Sequence, residues 1–217
     1  MNILIVSATE FEVKPLLGFL GIALPTIGMH HANIDFEEKD IKILITGVGM
    51  VNTALMMGKH SAEHFDLVIN VGVCGAFNID LELGQLVNIT QDTLSEMGAE
   101  DGEDFLTYDK LQLGGAHIFN ANSELINTNN LKKVKGITVN TVHGNNTTIE
   151  NVKKLYNPDV ESMEGAAFFA GCNKADQFMQ IRAVSNYVEK RDKSKWNMPL
   201  AIKNLNDYLI EFIQLKI

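Results

Sequence analysis

Arginine is nearly absent from this chain. Among 217 residues it occurs only at Arg182 and Arg191, both in the last fifth. An arginine clamp for a phosphate dianion therefore cannot be built from the first four fifths. Positive charge is scarce overall: the net charge is −9, which argues against a nucleic-acid or anionic-membrane surface. Only two cysteines occur, Cys74 and Cys172, far apart and in apolar surroundings. Without metal-ligand spacing around them, they read as buried thiols in a reducing compartment. The six histidines form no ligand set, and His60 and His64, one helical turn apart, read as solvated surface, so no metal site is expected. No G-x-x-x-x-G-K-[ST], H-E-x-x-H or G-x-S-x-G is present. No apolar run is long enough to span a membrane, and "MNILIVSATE" lacks the basic region of a signal peptide. The chain reads as cytoplasmic.

What is present is an ordinary globular balance, 46% apolar and 21% charged, at a length that suits one domain, residues 1–217. "NILIVSA" (2–8) predicts a buried strand, and "EFEVKPLLGFL" a helix that has Pro15 near its start. "DIKILITGVG" (40–49) and "FDLVINVGVCGAF" (65–77) predict strands running into glycine turns, and "GQLVNIT" (84–90) a further strand. Val51, Leu55, Gly58 and Ala62 describe one face of a helix. Residues 91–130, rich in Asp, Glu, Asn and Gly, read as long loops and short elements. "GITVNTVHG" (136–144) predicts a strand, and "TTIENVKKLY" a helix capped near Thr147 or Thr148. "DVESMEGAAFFAGCNKA" passes from strand to helix, and "QFMQIRAVSN" is the last core strand. Asn197 caps a final helix that buries Ile202, Leu205, Leu209 and Phe212. Strands alternating with helices predict an α/β fold whose largely parallel sheet is covered on both faces. Ligands of such sheets bind beyond the carboxyl ends of the strands.

Two motifs at such ends stand out. In "VESMEGAAFF", Glu161 and Glu164 lie at a strand-to-helix transition among apolar residues. Buried carboxylates need hydrogen-bond donors, and vicinal sugar hydroxyls supply two. A glutamate favoured by a helix N-terminus explains the pattern equally well. In "SATEFEV", Glu10 and Glu12 follow the first strand, where a carboxylate can serve as a base for water or simply face solvent. "TGVGMVN" has G-x-G, but Asn52 stands where a dinucleotide site needs its third glycine.

"ATEFE", "VNVGVCGAF", "DVESMEGAA" and "IRAVSN" occur in the order and spacing of the nucleoside phosphorylase and nucleosidase superfamily, which the chain resembles over nearly its whole length. The pattern is nearest to the bacterial 5′-methylthioadenosine/S-adenosylhomocysteine nucleosidases. The resemblance implies a three-layer α/β/α fold with a mixed, largely parallel sheet, and cleavage of a purine N-glycosidic bond. It also implies no cofactor, a purine nucleoside as the small-molecule partner, and a homo-oligomer. By residue it implies Glu12 as the base that activates water, Glu164 as the holder of the ribose hydroxyls, and Met163 packed under the sugar. Val73, Cys74 and Gly75 would line the nucleoside site, and Asn186 matches the purine-contacting acid. The chain departs from the nucleosidases at "ESMEG", where they have "EMEA", and at Thr147, where they tend to have an aromatic.

Hydrolysis is the consistent chemistry, because a carboxylate at position 12 repels phosphate. An amide at position 186 offers a donor for N7 or O6 and cannot transfer a proton, which suits a 6-oxopurine leaving group. A plain turn asparagine is the alternative. One branch combines both traits: futalosine hydrolases, of the futalosine route to menaquinone, which "SNYVEKRDKSKWNMPLAIKNLN" resembles. For the anionic aromatic tail of such a substrate, Arg191 is expected to pair with the carboxylate and Trp196 to pack on the ring. A solvated charged loop is the alternative. Two rival functions stay open: an adenosine-type nucleosidase, and a noncatalytic nucleoside-binding protein.

Overall fold

The computed structural model describes residues 1–23, 27–32, 39–123, 131–172 and 176–214. Strands β1 (Asn2–Ser7), β3 (Asp40–Ile45), β4 (Leu67–Ala76) and β11 (Gln177–Tyr187) run parallel in the order β3-β1-β4-β11 and form the centre of a mixed sheet. Their Ile, Val and Leu runs are buried on both faces, as a covered parallel sheet requires. Beyond β11 lie β5 (Leu86–Leu94), β9 (Lys132–Thr138) and β10 (Val160–Ser162), with β8 (Ile118–Asn120) paired to β5; β2 (Gly28–His31) closes the other edge. A separate hairpin joins β6 (Gly98–Asp101) to β7 (Asp104–Thr107).

Helices cover both faces, giving the α/β/α layering expected. On one side α1 (Lys14–Phe19) and α5 (Met198–Gln214) share a core with the strands. On the other, α2 (Met50–Lys59) and α4 (Gly165–Gly171) pack together. A further α-helix is α3 (Asn146–Tyr156). Pro15 sits in the first turn of α1, where its missing N–H has no partner to lose. Asn197 lies ahead of α5 and accepts from Leu200 N at 3.3 Å.

Two sequence expectations are corrected, and two are made specific. The face of α2 that carries Val51 and Leu55 is exposed, at 75% and 55%, while Thr53, Met56 and Met57 are buried. The strand expected at 136–144 spans Lys132–Thr138, where outward lysines disguise the inward Val134. The cap of α3 is Asn145, whose Oδ1 accepts from Thr147 N at 2.9 Å. Within 91–130 the described residues hold β6, β7, β8 and the end of β5. The rest of that stretch, 124–130, lies outside the described residues.

The feature that places the site is a ring closure. β10 pairs in parallel with β9 and antiparallel with β4, so β10, β9, β5, β11 and β4 form a closed circuit. Gly75 of β4 thus has Glu161 opposite it on one side and Asn186 on the other. The β4–β11 register slips at a bulge between Val184 and Asn186. A bulge re-aims the side chains that follow it, and here it turns Ser185 and Asn186 together into one cavity.

Candidate active site

That cavity, about 260 Å³, opens at the carboxyl ends of β1, β4 and β11. Glu12, Val73, Cys74, Gly75, Met163, Glu164, Asn186 and Trp196 all line it. Two residues singled out from sequence do not: Glu10 is exposed, and Arg191 lies over the Trp196 ring, its guanidinium carbon 4.8 Å from the ring centre. Among the described residues the cavity wall carries three carboxylates, Glu12, Glu161 and Glu164, and no lysine or arginine.

Glu12 is buried just ahead of α1. Fully buried Asn206 of α5 fixes its backbone, donating to Glu12 O at 2.9 Å and accepting from Leu16 N at 3.0 Å. The carboxylate is held unevenly. Oε2 accepts from Ser7 Oγ, Thr9 N and Thr9 Oγ1 at 3.3, 3.2 and 3.1 Å, whereas among the described residues Oε1 accepts only from Val73 N, at 3.1 Å. Oε1 therefore keeps a lone pair for a water molecule. Burial pushes the Glu12 carboxyl above its ordinary value; the charge of Arg182 opposes this and that of Glu164 adds to it. A carboxylate raised in this way has a greater affinity for a proton than one in water.

Glu164 is the N-cap residue of α4, but its side chain makes no capping hydrogen bond. Its Oε1 accepts from Gly49 N at 3.0 Å, and Arg182 lies 3.4 Å from Oε2. Two anchors leave acceptor positions for a pair of hydroxyls, with Met163 beside them in the wall. Cys74 is buried, which pushes its thiol up to about 12; it is a wall residue rather than a nucleophile. Cys172 is half-buried, and both cysteines are free thiols.

Arg182 is the group that the sequence reading passed over. It is 1% exposed and sits among Glu164, Asn70 and Gln180, to all of which it donates. A Cβ on Gly72 would collide with its guanidinium and stand 2.6 Å from Glu12 Oε1. A bare glycine at 72 is thus what leaves room for the Arg182 guanidinium and the Glu12 carboxylate. From Arg182 the bonding continues through Gln180 to Asp92 at 3.0 Å, to Thr138 at 2.8 Å, and to the backbone N–H of Ala166 in α4 at 2.7 Å. Burial raises Asp92 to about 6. The chain of contacts ties Glu164 to a buried scaffold, and Glu12 feels the charge of Arg182 without bonding to it. The available signal was a lone arginine inside the apolar run "QFMQIRAVSN".

Asn186 has its amide oriented by neighbours. Ser185 Oγ donates to Oδ1 at 2.8 Å, and Nδ2 donates to Tyr187 O at 3.0 Å, leaving one amide N–H for the cavity. Across Gly75, Glu161 is 4% exposed and bound twice by His143: the backbone N–H at 3.0 Å to Oε1, and Nδ1 at 2.6 Å from Oε2.

A family model described as "Phosphorylase superfamily" matches residues 2–214. The sequence is 28% identical over 171 residues to a futalosine hydrolase of Thermus thermophilus, covering 75% of this chain and 76% of the relative. It is 30% identical over 176 residues to a futalosine hydrolase of Acidothermus cellulolyticus, covering 75% and 71%. In fold it is similar to the 5′-methylthioadenosine/S-adenosylhomocysteine nucleosidase of Helicobacter pylori, with a TM-score of 0.82, 18% identity, and 98% and 97% of the two chains covered.

Proposed function

The chain belongs to the phosphorylase superfamily, and from that premise we propose that it is a purine nucleoside N-glycosidase that hydrolyses futalosine and releases hypoxanthine. The observation that carries hydrolysis over phosphorolysis is the wall charge: three carboxylates and no cation among the described residues that line the cavity. A phosphate dianion there would meet like charge without a paired donor. Arg182 is no substitute, since it is already committed to Glu164, Asn70 and Gln180.

In this reading Glu164 fixes the ribose through its 2′- and 3′-hydroxyls. Glu12 Oε1 takes a proton from water as the oxygen attacks the anomeric carbon, and the glycosidic bond breaks with its electron pair going to the purine. The purine anion is then protonated from solvent while Glu12 returns its proton to solvent. The amide N–H of Asn186 meets the charge that builds on N7 and O6. The reaction runs in a cytoplasmic route to menaquinone. The deciding experiment is chromatography of the released base from a futalosine digest, with and without phosphate. Hypoxanthine at a rate indifferent to phosphate is expected; adenine-only activity on methylthioadenosine or aminofutalosine would overturn the proposal.

The 5′ tail is assigned to Trp196 and Arg191. Lys195 is paired to Glu189 at 2.9 Å, but Arg191 makes no ion pair among the described residues. Arg191→Ala is expected to raise KM for futalosine about 10-fold or more, the order of a charge-assisted hydrogen bond. The same change should leave inosine, which lacks the acid, unaffected. Equal effects on both substrates would dismiss the pairing.

A second copy of the chain is assigned to the cavity mouth. Phe11 and Val48 line it while 57% and 49% exposed, and they lead to the bare Val51 and Leu55 of α2. Side chains of this size left together in water mark an interface. Sedimentation should give a dimer or larger assembly, and Val51→Lys with Leu55→Lys should shift it to monomer and raise KM. A monomeric wild type at micromolar concentration would remove this assignment.

A further inference from the structure

Glu161 is the one wall carboxylate that the proposed mechanism does not use. We propose that it is a specificity-determining residue that accepts the N1–H of a 6-oxopurine, opposite Asn186; this rests on the hypoxanthine reading above.

The placement comes from the sheet. Directly opposed residues on neighbouring strands point to the same face. Gly75 opposes Glu161 on β10 and Asn186 on β11, so both side chains rise from one face with a glycine between them. Two strand spacings set their backbones roughly 9–10 Å apart. A Cβ on Gly75 would stand 3.1 Å from Val188 Cγ2, 3.3 Å from Asn186 Nδ2 and 3.5 Å from Glu161 Cγ, so only a bare glycine fits beside the Val188 methyl and between the two polar groups. Both of those groups line the cavity.

The chemistry of the slot is asymmetric. The Asn186 side presents an N–H. The Glu161 side presents a carboxylate whose oxygens each accept once from His143 and retain acceptor capacity. Along the edge N7, O6, N1, a 6-oxopurine shows acceptor, acceptor, donor. Adenine shows acceptor, donor, acceptor. An amide donor at one end and a carboxylate at the other complement the first order. With adenine, N1 would face the carboxylate lone pair to lone pair, and a buried mismatch of that kind is strongly rejected. His143 makes the discrimination rigid, since its two contacts hold the carboxylate in place before substrate arrives.

The test compares futalosine and inosine with their N1-methylated forms, in the wild type and in Glu161→Gln, with the released base identified. In the wild type, removing the N1–H should lower kcat/KM about 10- to 100-fold. Glu161→Gln should lower hypoxanthine release by a similar factor and erase the preference for the unmethylated substrate. A wild type that releases hypoxanthine equally well from both forms overturns the role of Glu161 and leaves the proposed reaction standing. So does a Glu161→Gln variant that keeps the full preference. Release of adenine alone by the wild type removes both. Because the wild-type comparison stands by itself, a variant that does not fold does not blunt the test.

Discussion

Glutamine at position 12 should lower kcat by about 10²–10⁴-fold, the usual contribution of a general base, while substrate still binds. Single-turnover rates together with equilibrium binding of futalosine would measure the two separately. The retained binding distinguishes a hydrolase from a protein that only holds nucleosides, for which the substitution should change little. The isosteric change is not silent structurally. Oε2 accepts from three donors, so the glutamine oxygen takes that place and its NH2 faces Val73 N. A donor against a donor costs about 1–3 kcal/mol. The pH profile adds a second signature. Because burial raises the Glu12 carboxyl, the acid limb of kcat/KM in the wild type should lie above the ordinary value of 4.5, and Glu12→Gln should abolish it. The sign for stability is the opposite. A raised carboxyl contributes stability that is complete below its unfolded value and is lost as pH rises through the folded one. The ionisation that switches the base on therefore weakens the fold, and the variant should escape that loss.

Asn186→Asp should exchange the leaving group. The Asn186 amide donates to Tyr187 O at 3.0 Å, a place where an ionised oxygen would face a carbonyl. An aspartate there is driven to keep its proton, and a protonated acid can donate to N7 and then accept from the amino group of adenine. Hypoxanthine release should fall and adenine release from aminofutalosine should rise, moving the ratio of their kcat/KM values by about 10²-fold or more. A parallel change in both rates would mean that position 186 does not read the base. Glu161 remains in the variant and opposes adenine N1, so the exchange should be incomplete until Glu161→Gln is added.

The long central strands were legible because covered parallel strands are continuous apolar runs: β1, β3, β4 and the body of β11 all fall where their runs do. The final helix was legible from its cap and its spacing of three and four. The amphipathic reading of α2 failed for a physical reason. Its apolar stripe is real, but Val51 and Leu55 face outward beside the cavity mouth rather than into the core. Strand β9 was shifted because Lys132, Lys133 and Lys135 hide an alternating pattern. In the site, residues next to glycine turns were recoverable from sequence, since chain ends and close approaches leave local marks. The role of Arg182 was not, because it depends on Gly72 of another strand standing aside. The pairing of Glu161 with Asn186 was hidden likewise, since it needs the bulge at Ser185 and the closing of the ring, neither of which a single segment displays.

That ring has a consequence for how the protein becomes active at all. β10 is three residues long, and it joins chain near position 76 to chain near position 137. So short a strand makes few ladder bonds of its own and depends on β9 and β4 to hold it. Glu161 arrives with it, and Glu164 three residues later. A nascent chain that has emerged as far as β4 can already collapse on its apolar strands while holding Glu12 alone. Reactivity is thus withheld until the C-terminal strands dock, and a half-made molecule has no means of cutting nucleosides indiscriminately.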